Sequence, residues 1–512
     1  MCGIVCAWGK ERHVWARRAL DRLSHRGPDA QALREVGDLV FGFARLAINA
    51  IGAEGMQPLH QSTLTVVING EIYNHRALRN AFGLTGLGGS DMAVVLPLFA
   101  TLGEDFLDKL DGFFSGVIYD SATQRLFTLR DAIGKKPLFL VRADGSFLLT
   151  SALKSAMRVE GFEEIPLGLC EIDMESGQII QRIAPRRPRP PSAPKPTPQA
   201  LVTTMRRSID KRIACSDLTS FAVFVSGGLD SSIIAALVHE GPDRDRAHYY
   251  YFNDPESEDA RYAALLLADL GVPASRIHPV SVPTLTEMPE LISQVVAATE
   301  SYNPSIISNG IGTFLLARSA RSAGHKVALG GDGADEVFCG YFDPPNFGPD
   351  RSWDTSRARL LADLPRTELR RIDGAAMAYG IEIRCPFLDH DLRDLAQGFT
   401  EADFYGDGPK PIRKKVLRQA FAAHLPPEIV DRPKQSFDRG TGIQRLMIKC
   451  CTRAGDSETD YLHAVWHSHF RDLLGHLDAD PYFHSYPAFD MFLKTRGQRY
   501  ALPPKNTRKM EC

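Results

Sequence analysis

The sequence predicts two folded units of different construction, the second of α/β class around a parallel sheet. Three observations predict this. A chain of 512 residues exceeds what one ordinary domain holds. Seven prolines mixed with Arg and Lys lie between Pro185 and Pro198, a composition that favours extended polyproline and builds no core. From Leu201 onward, helical patterns alternate with short apolar runs, as strands feeding crossover helices do. The expected division is a first domain over 1–184, a linker over 185–200 and a second domain over 201–512.

Composition narrows the function classes. Hydrophobic residues make up 44% and charged residues 24%, as in soluble globular proteins. A net charge of -2 gives no electrostatic reason for a nucleic acid or an anionic membrane as partner. No apolar run approaches the roughly 18 residues that span a bilayer. Lys10, Glu11 and Arg12 interrupt the start before the apolar core of a signal peptide develops. The nine cysteines are scattered, with no C-x-x-C pair, so neither a zinc site nor a disulfide framework is expected. That pattern suits a reducing compartment, the cytoplasm.

In the first half, the chain opens Met1-Cys2-Gly3-Ile4-Val5. Removal of Met1 places a thiol and a free α-amino group on Cys2, and an amine with a pKa of about 7.7–8.0 takes the thiol proton near neutral pH. One residue then supplies nucleophile and base. The competing reading, a small apolar residue in a first strand, suits Cys6 better. A polar turn, Ser24 to Asp29, follows a helical stretch, and Arg45-Leu46-Ala47-Ile48 follows the strand-like Leu39 to Phe43. Val66-Val67-Ile68 then runs into Asn69-Gly70-Glu71-Ile72-Tyr73-Asn74-His75, and Gly89-Ser90-Asp91 comes later. Asn69-Gly70 also reads as a hairpin turn, and Arg45 and Asp91 as surface charges.

The second half begins with a helix candidate over Thr203 to Ile213. An apolar run, Phe221 to Val225, reads as a buried parallel strand leading into Ser226-Gly227-Gly228-Leu229-Asp230-Ser231-Ser232, and Ile233 to Val238 leaves it as a helix. Strand, Gly-rich turn and helix N-terminus make an anion site: the glycines let backbone approach a phosphate, and free N–H groups point at it. Ser226, Ser231 and Ser232 add hydroxyl donors, and Asp230 is placed to hold a metal ion. No G-x-x-x-x-G-K-[ST] is present, so this is no Walker loop. Tyr249 to Phe252 reads as another strand, whose aromatics suit either a base pocket or plain core, and Ala260 to Leu270 reads as a helix. Val327-Ala328-Leu329 is a further strand ending in Gly330-Gly331-Asp332-Gly333-Ala334-Asp335-Glu336. Loops at the C-terminal ends of parallel strands build the ligand site, so this loop and the one at Ser226 are expected to face one ligand. Glu382-Ile383-Arg384-Cys385-Pro386-Phe387-Leu388-Asp389 and Arg432-Pro433-Lys434-Gln435-Ser436-Phe437 are the last readable segments, and nothing beyond about Gly442 carries a motif.

These segments carry a resemblance in each half. The Ser226 loop resembles the pyrophosphate loop of ATP pyrophosphatases, enzymes that cleave ATP to AMP and pyrophosphate while adenylating a carboxylate. Cys2, Arg45, Asn69-Gly70-Glu71 and Asp91, in that order, resemble the glutaminase domain of class II glutamine amidotransferases, in the version of the asparagine synthetase family. The resemblance continues through Leu110 to Phe114, Arg130 to Leu138, the Gly330 loop, and the E-x-R-x-P-F-L-D and R-x-K-x-x-F stretches. It implies an α+β N-terminal-nucleophile hydrolase sandwich followed by an α/β parallel-sheet ATP pyrophosphatase domain. It implies Cys2 as nucleophile, the Asn69 side-chain amide and Gly70 N–H as oxyanion donors, and glutamine held by Arg45, Leu46, Asn69, Gly70, Glu71 and Asp91. ATP falls to Phe224, Ser226, Gly227, Gly228, Asp230, Ser231, Phe252, Gly330 and Gly331, and Mg²⁺ to Asp230 and Asp335. Asp332 takes the acidic position tied to acyl-adenylate formation, and Lys434 adds positive charge at the pyrophosphate leaving group. A homodimer is compatible with it.

Three departures from the family pattern are visible, and the last two concern the acceptor. Ser151-Ala152-Leu153-Lys154 stands where Ser-Glu-x-Lys is usual. Ser308 stands where enteric bacterial members carry an Arg that binds aspartate, and a serine forms no fork to a carboxylate. Gly374-Ala375-Ala376-Met377 lacks the family's Arg-Met-Ser. The implied acceptor is therefore aspartate by default, with another carboxylic acid as the alternative. A regulatory protein on a decayed ligase scaffold is the non-enzymatic alternative, against which Cys2, Asn69-Gly70, Asp230, Asp335 and Lys434 all stand intact.

Overall fold

Alternating side chains in the first half let two sheets share one apolar layer. The computed structural model describes residues 2–189, 195–341, 352–408 and 411–485. Part of the expected linker, 190–194, and the end of the chain, 486–512, lie outside these. One six-stranded sheet runs in the order Gly161–Glu164, Phe139–Ala143, Ser146–Thr150, Gly3–Gly9, Leu39–Arg45, Ala30–Val36. The other six-stranded sheet runs Ile179–Ile183, Gly168–Ile172, Arg125–Arg130, Gly112–Asp120, Leu64–Ile72, Leu59–Gln61. Pairing is antiparallel throughout both.

Period-two alternation assigns each residue of these strands to a layer. Ile4, Cys6, Trp8, Phe41 and Phe43 meet Val67, Val117 and Leu126 between the sheets. Val5 and Ala7 face the other way, onto Trp15, Ala16 and Ala19 of helix Arg12–Arg22. Val66, Ile68 and Phe114 pack outward on Leu96 and Phe99 of helix Val95–Leu102. The result is a helix–sheet–sheet–helix sandwich, the expected α+β class. Asn69 and Gly70 are not a hairpin turn. They lie inside strand Leu64–Ile72, opposite Ser115 and Phe114.

The second half is built on five parallel strands, in the order Ile277–Val280, Ala247–Phe252, Phe221–Phe224, Val327–Leu329, Glu382–Arg384. Val223 pairs with Leu329, so the two Gly-rich loops leave neighbouring strands side by side. Thr197 starts the first helix, Pro198–Ala214, by accepting from Ala200 N at 3.1 Å. The segment beyond Gly442, which carried no motif, forms helices Ile443–Arg453 and Glu458–Leu474. Trp466 Nε1 donates to Glu300 O at 3.0 Å, tying this segment to the end of helix Met288–Thr299. Among the described residues no helix is long and apolar enough to cross a membrane.

Charged side chains join the halves. Asp373 is ion-paired with Arg26 at 2.8 Å and accepts from Lys136 at 3.1 Å, all three buried. Asp111 bonds Lys211 at 2.6 Å and His390 at 2.8 Å. Burial works against a charged His390, but its bonds to Asp111 and Asp391 prevail and raise its pKa from 6.5 to about 9. Protonation thus favours the folded state, and this contribution is whole below pH 6.5 and lost as pH rises through 9. His390→Ala should cost on the order of 1 kcal/mol at the acid end of that window and little at the alkaline end, read by thermal unfolding of both proteins across it.

Candidate active sites

The first site is assembled on one strand edge. Cys2 is half-buried and its backbone N donates to Asn69 Oδ1 at 2.9 Å. The thiol lies 3.9 Å from Leu46 O. Burial raises the thiol pKa, against the N-terminal positive charge and the Leu46 carbonyl, which lower it. With Oδ1 committed to the Cys2 amide, Asn69 Nδ2 is buried and has no hydrogen-bond partner. An unpaired buried donor costs free energy, and it is free to meet an oxyanion next to the thiol. Gly70 has φ +149°, and a Cβ there would collide with Phe113 O. Only glycine brings backbone this close.

The charged residues around this site are buried, not surface groups. Arg45 donates to Gly52 O at 2.7 Å and to Ala50 O, so the loop it holds sets where its guanidinium points. Asp91 Oδ2 accepts from Ile72 N at 2.7 Å, and burial pushes its pKa up to about 6. Glu71 pairs with Arg384 of the second half at 3.1 Å and accepts from Cys215 Sγ at 3.1 Å. Burial raises the Glu71 pKa; Arg384 opposes this, while the Glu382 and Asp91 charges add to it. Ligand atoms of Glu71, Asp91 and Cys215 lie within 4.8 Å of one another, the spacing of a cation site. Arg384 already supplies positive charge there.

The second site is a cavity of about 660 Å³ at the C-terminal ends of the parallel strands. Phe224, Ser226, Gly228, Asp230 and Ser231 line one side, and Gly330, Gly331, Asp332, Asp335 and Lys434 the other. The loop is held by its own hydroxyls: Ser231 Oγ accepts from Ser226 N at 3.1 Å and lies 3.0 Å from Ser226 Oγ. Three expected contacts are absent from the wall. Gly227 has φ +68°, and a Cβ there would strike Ala263 N and Tyr262 Cβ, so it serves packing against helix Glu258–Asp269. Ser232 is buried beneath the loop. Phe252 is core, its ring 6.0 Å from that of Phe437.

Charge in this cavity is organised around two carboxylates. Lys414 Nζ lies 2.6 Å from Asp230 and 2.5 Å from Asp335, and Lys434 Nζ 2.5 Å from Asp335. Burial raises the Asp335 pKa, but the two lysines outweigh it and hold the carboxyl well below its usual range. Burial disfavours a charged Lys434, yet Asp335 and Asp230 raise its pKa above the usual lysine value. Glu336 is pushed up to about 8 by burial and the neighbouring Asp335 charge. Asp230 Oδ1 is buried and accepts no hydrogen bond. Asp332 is held by Arg371, which also donates to Thr313 Oγ1 at 2.7 Å.

Residues 1–166 match the family described as glutamine amidotransferase domain. Residues 201–364 and 343–495 match that described as asparagine synthase. The chain belongs to the asparagine synthase family. Its relatives include glutamine-hydrolyzing asparagine synthetase of Asparagus officinalis, 32% identical over 467 residues, covering 86% of this chain and 78% of that protein. Asparagine synthetase 3 of Arabidopsis thaliana is 30% identical over 472 residues, covering 86% and 79%.

Three residues that shape these sites in this asparagine synthase-family chain escaped sequence reasoning. Lys414 sits at φ +56° at the start of helix Lys415–Phe421, where one lysine among several in a basic stretch gives no local signal. Arg371 reads as an ordinary helical arginine. Arg384 was legible as part of a motif but not as a link between domains. It is fully buried, with Nε 2.6 Å from Glu382 and bonds to the carbonyls of Arg212 and Cys215. Arg384→Leu strands the buried Glu382 carboxylate and should cost about 3–5 kcal/mol, measured by denaturant unfolding.

Proposed function

We propose that this chain is a glutamine-dependent, amide-forming ligase with two coupled sites. At the first, the Cys2 thiolate attacks the side-chain amide of glutamine. The developing oxyanion is met by Asn69 Nδ2 and Gly70 N–H, the C–N bond breaks, ammonia leaves, and water hydrolyses the thioester. Arg45 takes the glutamine carboxylate, and Asp91 and Glu71 take its ammonium, with Leu46 as a wall. The observation that carries this reading is the buried, unpartnered Asn69 Nδ2 beside Cys2. It is the donor that this chemistry needs and that nothing else in the described protein uses.

At the second site, a carboxylate oxygen of the acceptor attacks the α-phosphorus of ATP, and the bond to pyrophosphate breaks. Lys414 and Lys434 stand ready to neutralise the leaving group, since both are cationic and already face the carboxylate pair. The Ser226 loop and helix Leu229–Glu240 present backbone N–H groups to the phosphates. Asp230 and Asp335 suit Mg²⁺, because they offer hard carboxylate oxygens and Asp230 Oδ1 accepts no hydrogen bond. A bound Mg²⁺ would neutralise triphosphate charge. Ammonia crossing between the domains attacks the acyl carbon and AMP departs, in a site that must exclude water because an acyl-adenylate hydrolyses. Aspartate is the default acceptor, as in the relatives' names. A cytoplasmic setting fits the free cysteines of the described residues.

Cys2→Ala should abolish glutamine-driven amidation and leave ammonia-driven amidation intact, both read by pyrophosphate release. Lys434→Ala should lower pyrophosphate release roughly a hundredfold while glutamine hydrolysis continues. Equal loss of both activities in the lysine variant would remove the role given to Lys434.

A further inference from the structure

The loop that aims Arg45 belongs to the first half, yet two of its anchors come from the second. Arg45 is buried and donates to the carbonyls of Ala50 and Gly52. Ala50 has φ +50°, a left-handed conformation that a residue with a Cβ keeps only where its surroundings impose it. Asp217 imposes it from the synthetase half. Its Oδ2 accepts from Ala50 N at 2.7 Å, and its own N donates to Ile48 O at 3.0 Å, so one residue grips the loop on both sides of Asn49. Lys326 holds the start of the loop. Its Nζ donates to Ala47 O at 3.2 Å and to Asp29 Oδ2 at 2.8 Å, the carboxylate oxygen that also accepts from Ala47 N at 2.7 Å.

Both anchors stand at the N-terminal ends of neighbouring parallel strands. Lys326 directly precedes Val327–Leu329, and Asp217 lies shortly before Phe221–Phe224. The same two strands end in the Gly330 and Ser226 loops, so each runs from the glutamine loop at one end to the synthetase cavity at the other. Neither anchor fills a core: Asp217 is exposed and Lys326 half-buried. Their hydrogen bonds give the loop direction, not bulk. We infer that Asp217 and Lys326 are positioning residues for glutamine, holding residues 47–50 in the conformation whose Ala50 carbonyl points the Arg45 guanidinium at the α-carboxylate. This rests on the glutaminase reading above and deepens it, because glutamine affinity then depends on two side chains of the other half that touch no substrate. A guanidinium turned out of line loses the paired bonds that make its fork fit a carboxylate.

The test uses the full chain and compares glutamine with 4-aminobutanamide, which keeps the amide and the amine of glutamine and lacks its α-carboxylate. Hydrolysis is followed for both, and where the analogue turns over slowly its affinity is read from inhibition of glutamine hydrolysis. Wild type should favour glutamine by about tenfold or more. The double variant Asp217→Ala, Lys326→Met should raise KM for glutamine about tenfold, hold kcat within about threefold and leave affinity for 4-aminobutanamide unaltered. Asp217→Asn, whose side-chain oxygen still accepts from Ala50 N, should keep the wild-type KM. An unaltered glutamine KM in the double variant, or the full rise already in Asp217→Asn, overturns this inference and leaves the glutaminase reading standing. Equal weakening toward both amides, or loss of the folded state in thermal unfolding, also overturns it, because either result gives the pair a purely structural role. Wild type that takes both amides alike overturns the assignment of Arg45 to the carboxylate, and wild type that hydrolyses no glutamine overturns the glutaminase reading itself.

Discussion

Arg384 holds a positive charge where no water reaches it, and the relation between the two halves depends on that charge being shared. One guanidinium serves Glu382 on its own strand, Glu71 of the other domain and two backbone carbonyls. Removing an ion of this kind from water is favourable only when nearly every donor finds a partner. The last strand of the parallel sheet is thereby registered against the strand that carries Asn69 and Glu71. Asp373, between Arg26 and Lys136, repeats the arrangement nearby. The interface is thus specified by direction as well as by burial, since apolar packing alone tolerates sliding and a buried ion pair does not.

The synthetase cavity uses charge in another way. Its carboxylates and lysines stand in near balance without a nucleotide, so the free site is not a region of uncompensated field. A polyanionic ligand would enter by exchange, its oxygens taking the lysines and freeing the carboxylates. Arg432 supports this from behind, bonding Asp259 and lying 4.4 Å from the Tyr262 ring centroid, while donating to Ser226 O at 3.3 Å. That bond ties the R-x-K stretch to the Ser226 loop, so Lys434 is held beside that loop.

Local signals made much of this readable in advance. Strand–glycine–helix patterns survive as sequence because the backbone itself needs those residues, and both Gly-rich loops stand where parallel-strand rules put them. Asn69-Gly70 was ambiguous for a physical reason: the dipeptide suits a tight turn and also a strand that must approach its neighbour, and only Phe113 decides between them. Phe252 illustrates the opposite limit, since an aromatic at a strand end looks the same whether it faces a base or Phe437. Lys414, Arg371 and the Arg384–Glu71 pair were hidden because their partners lie far away in the chain, and a lone cation announces nothing about a distant carboxylate. The helices after Gly442 carry no motif because their work is packing, as Trp466 on Glu300 shows.

The shared guanidinium has a consequence for anyone who would divide this protein at its proline-rich joint. The first half expressed alone would keep Glu71 and Asp91 close together and lose the cation that faces them. The two neighbouring carboxyls would lose Arg384, and with it the burial and the Glu382 charge that the second half imposes on them. Their protonation would differ from that in the whole chain, even with Cys2 and Asn69 undisturbed. The severed fragment would differ from the whole chain at this cluster, because part of its electrostatics is lent by the other half.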